Sequence, residues 1–131
     1  MPEAAIIAKI VFVMIGAQVT GYSEGMGAFY AEGVMEQVCR HRVSHGWQPD
    51  LDCSRLCLVS GIEHDSLGQR WLVDIPGGSF YDCLVVDVGA GIDLPALRAR
   101  GEIVEIPHWL AMKAGWDGYA DDVRVWRLSD D

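Results

Sequence analysis

An imidazole, His64, and a carboxylate, Asp87, stand beside glycine-rich loops, the pairing that an acid/base site needs. His64 precedes a Leu67-Gly68 turn and an apolar strand. A second apolar strand, CLVVDVG over 83–89, delivers Asp87 to the loop that follows it. In that strand Cys83, Val85 and Asp87 share one face by alternation while Leu84 and Val86 take the other, so both faces are apolar before Asp87 is reached. A carboxylate at the end of such a strand is expected to be partly desolvated, which favours its protonated form and suits a general acid. The competing reading makes Asp87 a structural cap of the VGAG turn at 88–91. Glu105, an isolated acid in GEIVEI over 101–106, is most simply a buried or rim carboxylate that takes backbone N–H bonds near the start of the next helix.

Short elements must position these groups. Strand-like apolar runs occupy 28–30, 56–60, 70–75, 82–88, 102–106 and 122–128, separated by Gly, Pro or Asp turns. A brief helix is expected over 34–42, and Pro107 opens a second, HWLAMKA, that Gly115 closes. Thr20 to Gly27, TGYSEGMG, reads as a linker. Five or six short strands with two short helices between them describe a small, mostly β barrel.

The chain has 131 residues, half of them hydrophobic, which is enough for one core. The expected division is an apolar N-terminal segment, 1–24, and a barrel domain, 25–131. The formal charge is −9, with only Glu3 and Lys9 charged among residues 1–23, so the body repels polyphosphate and nucleic acid is excluded as a partner. Residues 4–19 are almost wholly apolar, interrupted by Lys9 and Gln18. They fit an export signal or signal anchor loosely, and fall just short of the roughly 20 apolar residues of a membrane helix. A membrane-docking or partner-docking helix and a buried element of the fold are the other readings.

Four cysteines, Cys39, Cys53, Cys57 and Cys83, allow three disulfide connectivities. Cys57 and Cys83 each begin an apolar strand, so neighbouring strands would bring them within bridging distance, and Cys39 with Cys53 would then pin the intervening loop. Free buried thiols are one alternative; a zinc site drawing on Cys39, His41, His45, Cys53 and Cys57 is another, although these spacings fit no common zinc module. No metal is assigned. The turn at 89–93 lacks the following basic residue of a phosphate loop, so no nucleotide cofactor is expected. The five tryptophans are most simply core or surface packing residues, and Trp47 and Trp116, next to glycines in loops, are the candidates for a sugar-stacking face.

The order GAFYAEG, CLVSGIEHDSLGQRWLV, CLVVDVGAG, GEIVEIPHWLAMKAG and VRVWRL over residues 25–128 resembles the double-psi β-barrel of the rare lipoprotein A family, related in fold to barwin and expansins. Gly27, Ala28 and Tyr30 match the family's opening G-x-A-S-x-Y strand; His64, Leu67 and Gly68 match its A-H-x-x-L-P-x-G-T segment. Asp87 and Gly89 match D-R-G-P, with Val88 in place of the Arg, and Glu105 stands where the family has the Asp of I-D-L-S. The resemblance implies a six-stranded double-psi barrel, an extracytoplasmic location (secreted, cell-envelope or membrane-anchored) and recognition of peptidoglycan or another polysaccharide. It also implies lytic transglycosylase-like cleavage in some members, with Asp87 as acid, His64 as its partner, and Tyr30, Glu105, Trp47 and Trp116 as substrate contacts. The alternative is a non-enzymatic interaction module anchored through residues 4–19 in a membrane or a larger assembly.

Overall fold

The apolar runs become six strands and the two short helical stretches become helices. In this computed structural model, which describes residues 18–46, 50–59, 68–87, 99 and 101–129, the order is β1 Gln18–Phe29, α1 Val34–Ser44, β2 Leu56–Val59, β3 Arg70–Asp74, β4 Phe80–Asp87, β5 Glu102–Ile106, α2 His108–Lys113 and β6 Ala120–Ser129. The described residues are thus mostly β, a six-stranded mixed sheet with two short helices.

The sheet closes on itself in the order β1-β5-β2-β4-β3-β6, with β6 back on β1. Two pairs are parallel, β1 with β5 and β2 with β4; the other four are antiparallel. Raising each strand number by three, cyclically, maps the ring onto itself. The β1/β5 pair becomes β4/β2, β1/β6 becomes β4/β3, and the β2/β5 and β3/β6 pairs map onto themselves. The two halves of the chain therefore hold equivalent places in one closed sheet, which leaves no edge among its described strands.

Side chains from β2 to β6 fill the ring: Cys57, Val59, Trp71, Val73, Cys83, Val85, Val104, Ile106, Val123 and Val125 form one buried cluster, against which Phe29 of β1 packs. A second cluster lies under α1, whose Met35 and Cys39, four residues apart on one helical face, cover Leu56, Leu58 and Val86. As a result β2 is buried at all four of its positions, Cys57 and Val59 toward the first cluster and Leu56 and Leu58 toward the second. Gly33 precedes α1 at φ 76°, a left-handed conformation that glycine adopts without strain. Glu36 in the first turn and His41 and Arg42 in the last complement the helix dipole.

Both expected disulfides are present. Cys57–Cys83 joins β2 to β4 with Cα atoms 5.9 Å apart, and Cys39–Cys53 ties α1 to the loop before β2 at 5.7 Å. All four thiols are thereby consumed and cannot serve zinc. His41 and His45 instead stack on each other on the exposed end of α1, ring centroids 4.0 Å apart. Two disulfides point to an oxidising, extracytoplasmic environment. Outside the ring Asp82 accepts from two guanidinium groups, Arg55 at 2.7 Å and Arg70 in a two-pronged contact at 2.9 and 2.6 Å, bracing β4 against β3 and the approach to β2.

One expectation needs correcting. The segment 20–27 is not a linker; it lies within β1, which pairs with β5 on one side and β6 on the other, so the boundary expected after residue 24 falls inside a strand. Its glycines serve close packing. A Cβ at Gly25 would stand 2.7 Å from the Gly101 carbonyl oxygen, and one at Gly27 would stand 2.9 Å from both the Trp116 ring and a Val123 methyl. Of the apolar segment 4–19, Gln18 and Val19 begin β1 and the rest lies outside the described residues. Among the described residues no helix is long and apolar enough to cross a membrane.

Candidate functional site

The register places a row of residues across four adjacent strands. Ala28 of β1 is opposite Glu105 of β5, Glu105 is opposite Leu58 of β2, and Leu58 is opposite Asp87, the last residue of β4. Two strand spacings separate Glu105 from Asp87, so their backbones stand about 10 Å apart. Asp87 is described by its backbone alone. His64 and Trp47 lie outside the described residues, as does the glycine-rich loop after Asp87.

Beside this row is an open groove of about 340 Å³ lined by Ala28, Phe29, Glu102, Glu105, Gly118 and Tyr119. Its floor is the parallel β1/β5 pair. Its rim is the turn before β6, which Gly118 makes at φ 87° and which leaves Tyr119 55% exposed. Glu102 and Glu105 are three residues apart on β5, a separation that on a regular strand points side chains to opposite faces. The β1/β5 register shifts between Met26 and Gly27, leaving Ile103 as an extra residue on β5, and the local bend of such a bulge re-aims side chains beside it. Glu102 is the deeper carboxylate, 3% exposed; Glu105 is half-buried. None of the described residues lining the groove is basic. The groove therefore offers hydrogen-bond acceptors between two aromatic rings, an arrangement suited to a ligand with hydroxyl or amide donors and apolar faces.

The remaining candidates fall in different places. Tyr30 continues the β1/β5 pairing, its N–H donating to the Ile106 carbonyl at 3.0 Å, and packs its ring on the cluster under α1. It thus neighbours Leu58, the residue between Glu105 and Asp87 in the row. Trp116 does not present a sugar-stacking face: it is 8% exposed, sits in the ring's core against the gap left by Gly27, and donates its indole N–H to the Pro76 carbonyl at 2.8 Å. Among the described residues the tryptophan that faces solvent is Trp109 of α2, 46% exposed.

Sequence reasoning did not single out Phe29, Glu102, Tyr119 or Trp109. Glu102 carried one legible signal, as the first of the two acids of GEIVE in an otherwise apolar strand. Trp109 carried another, since a six-residue helix that buries Ala111 must turn part of its remaining surface outward. No protein-family model matches this chain, nor does any curated protein sequence.

Proposed function

We propose that this protein is an extracytoplasmic double-psi β-barrel that holds a cell-wall glycan strand in the groove at Glu102 and Glu105. The observation that carries the reading is the row Ala28–Glu105–Leu58–Asp87 running into a groove furnished with carboxylates and aromatic rings. The double-psi assignment draws support from the closed six-strand order with its two parallel pairs exchanged by the cyclic symmetry, together with the motif order along the sequence. The extracytoplasmic placement draws support from the two disulfides.

In this reading Asp87 is the acid. It gives its proton to the glycosidic oxygen, the linkage to the anomeric carbon breaks, and the C6 hydroxyl of the same sugar bonds to that carbon. The hydroxyl's proton passes to a carboxylate across the linkage, a part assigned in this reading to Glu105, and the product carries an internal anhydro ring with no water consumed. His64 orients the acid, as the motif match implies. Since this type of barrel supports binding without cleavage as well, the site chemistry has to decide between them.

The experiment incubates the protein with purified peptidoglycan, then assays retention on the insoluble glycan and anhydro-sugar release by mass spectrometry. Retention with release establishes the enzyme, and Asp87→Asn then abolishes release while leaving thermal stability nearly unchanged, because the amide keeps the shape and lacks the proton. Retention without release establishes a binding module. A loss of about 1–2 kcal/mol in Asp87→Asn with retention intact makes Asp87 a turn cap and retires the catalytic role. Absence of retention overturns the glycan reading.

A further inference from the structure

A second groove, of about 470 Å³, lies between the start of α1 and the outer face of α2. Glu32, Glu36 and Arg40 form one wall; His108, Trp109 and Met112 form the other. Trp109 and Met112 are each 46% exposed, a pairing of indole and thioether that a folded surface seldom leaves in water without use. The indole is held in position: Tyr81 meets it edge-on at 6.3 Å and 82°, and Tyr81 is itself fixed by donating its hydroxyl to the Leu56 carbonyl at 2.8 Å. Among the described residues no hydrogen bond or ion pair engages Glu32, Glu36, Arg40 or the Trp109 indole N–H.

The charges choose among ligand chemistries. A simple cation entering the groove meets Arg40, and a simple anion meets Glu32 and Glu36. A neutral ligand with both donors and acceptors uses all three while laying an apolar face on the indole, and a sugar ring with hydroxyl and amide substituents is such a ligand. The two grooves also adjoin. Glu105 in the first and His108 in the second are separated by two residues of the β5–α2 connection, and Phe29, in the first, contacts the His108 ring edge-on at 5.9 Å. Each volume falls within the roughly 300–1,000 Å³ of small-ligand sites.

We propose that the α1/α2 groove is a second saccharide subsite with Trp109 as its stacking face, taking the units of a linear glycan that continue beyond the Glu105 groove. The proposal rests on the glycan reading of that first groove. It predicts a dependence on chain length that the first groove alone would not produce.

The test titrates the wild-type protein and Trp109→Ala with peptide-free N-acetylhexosamine oligomers, a disaccharide and a hexasaccharide, by calorimetry. The indole N–H resonance of Trp109, assigned by its loss in the variant, serves as a second readout, and melting temperatures verify that the variant is folded. The expected result is roughly ten-fold weaker hexasaccharide binding in Trp109→Ala, the effect of losing one aromatic stack, with disaccharide binding unchanged. Glu36→Gln, on the opposite wall, is expected to weaken the hexasaccharide alone as well. Equal affinity of Trp109→Ala and wild type for the hexasaccharide overturns the subsite and leaves the first groove's assignment standing. Equal weakening of both oligomers also overturns it, since Trp109 would then not be a separate subsite. A Trp109 resonance that shifts with a lysine oligopeptide and not with the hexasaccharide replaces the saccharide by a cationic ligand. Failure of the wild-type protein to bind either oligomer removes the glycan reading and the subsite together.

Discussion

The two parallel strand pairs, β2/β4 and β1/β5, occupy equivalent places in the ring and are built for different tasks. The β2/β4 pair is covered. Its β2 strand is buried at every position, a disulfide joins the two strands, a second disulfide fastens α1 near them, and Asp82 bridges two arginines alongside. The β1/β5 pair has neither disulfide and leaves Ala28 and Glu105 facing a groove, although both pairs carry a register shift. Equivalent topology thus carries a braced half and an open half. The lesson is that covering an outer face, by a helix here, decides which half of a symmetric sheet keeps an open groove.

The largest effect should come from the braced half. Replacing Cys57 and Cys83 together by Ala frees a loop with a sequence separation of 26, and the chain-entropy model then gives a loss of about 3–4 kcal/mol. Denaturant unfolding of the variant measures this. A loss no greater than that caused by disturbing β1/β5 would erase the contrast between the halves.

Gly27→Ala provides that disturbance. Its new methyl meets the Trp116 ring and Val123 at 2.9 Å, and the indole is held by its bond to the Pro76 carbonyl. Overpacking of this kind should cost about 1–3 kcal/mol, read as a fall in melting temperature. Because Gly27 adjoins Ala28 and Phe29 of the groove, ligand binding should weaken along with stability. Wild-type binding in a destabilised Gly27→Ala would separate the groove from the packing beneath it.

The smallest effect concerns Tyr81, which spans the braced half and the Trp109 platform. Tyr81→Phe removes its hydrogen bond to the Leu56 carbonyl and should cost about 1 kcal/mol. Burial, more than any other cause, pushes the Tyr81 phenol above the ordinary tyrosine range. The folded protein therefore keeps a proton that the unfolded chain releases near pH 10, so stability falls as pH rises above about 10. Unfolding of Tyr81→Phe across alkaline pH should show a shallower fall, and an unchanged slope would remove Tyr81 as its source.

Much of the strand pattern was legible in the chain. The apolar run at 102–106 became β5 with those bounds, 70–75 became Arg70–Asp74, and the helix after Pro107 formed and closed at Gly115. The cysteine pairing followed from the same local reading, since thiols that begin two apolar strands meet when those strands are neighbours. Strand β1 of the open half was far less legible. TGYSEGMG has no apolar alternation, so nothing local marks it as strand, yet hydrogen bonds from β5 and β6 on its two sides make it one. Glu102 and Glu105 stand three residues apart on β5, and only the folded groove shows that both line one surface.

Alternation of apolar residues, turn glycines and prolines, and cysteines at strand starts are properties of consecutive residues, and these the sequence by itself determined: a mostly β domain, two short helices, and two disulfides. The closure of the ring, the burial of Trp116, the exposure of Trp109 and the gathering of Glu102, Glu105 and Tyr119 at one groove were decided only by the tertiary structure. Trp116 shows the reason. A tryptophan between two loop glycines has no local cause to be buried, and the space that takes its ring is left by Gly27, a residue of another strand far away in the chain. Side-chain burial is a relation between distant segments, and no pattern of consecutive residues encodes it.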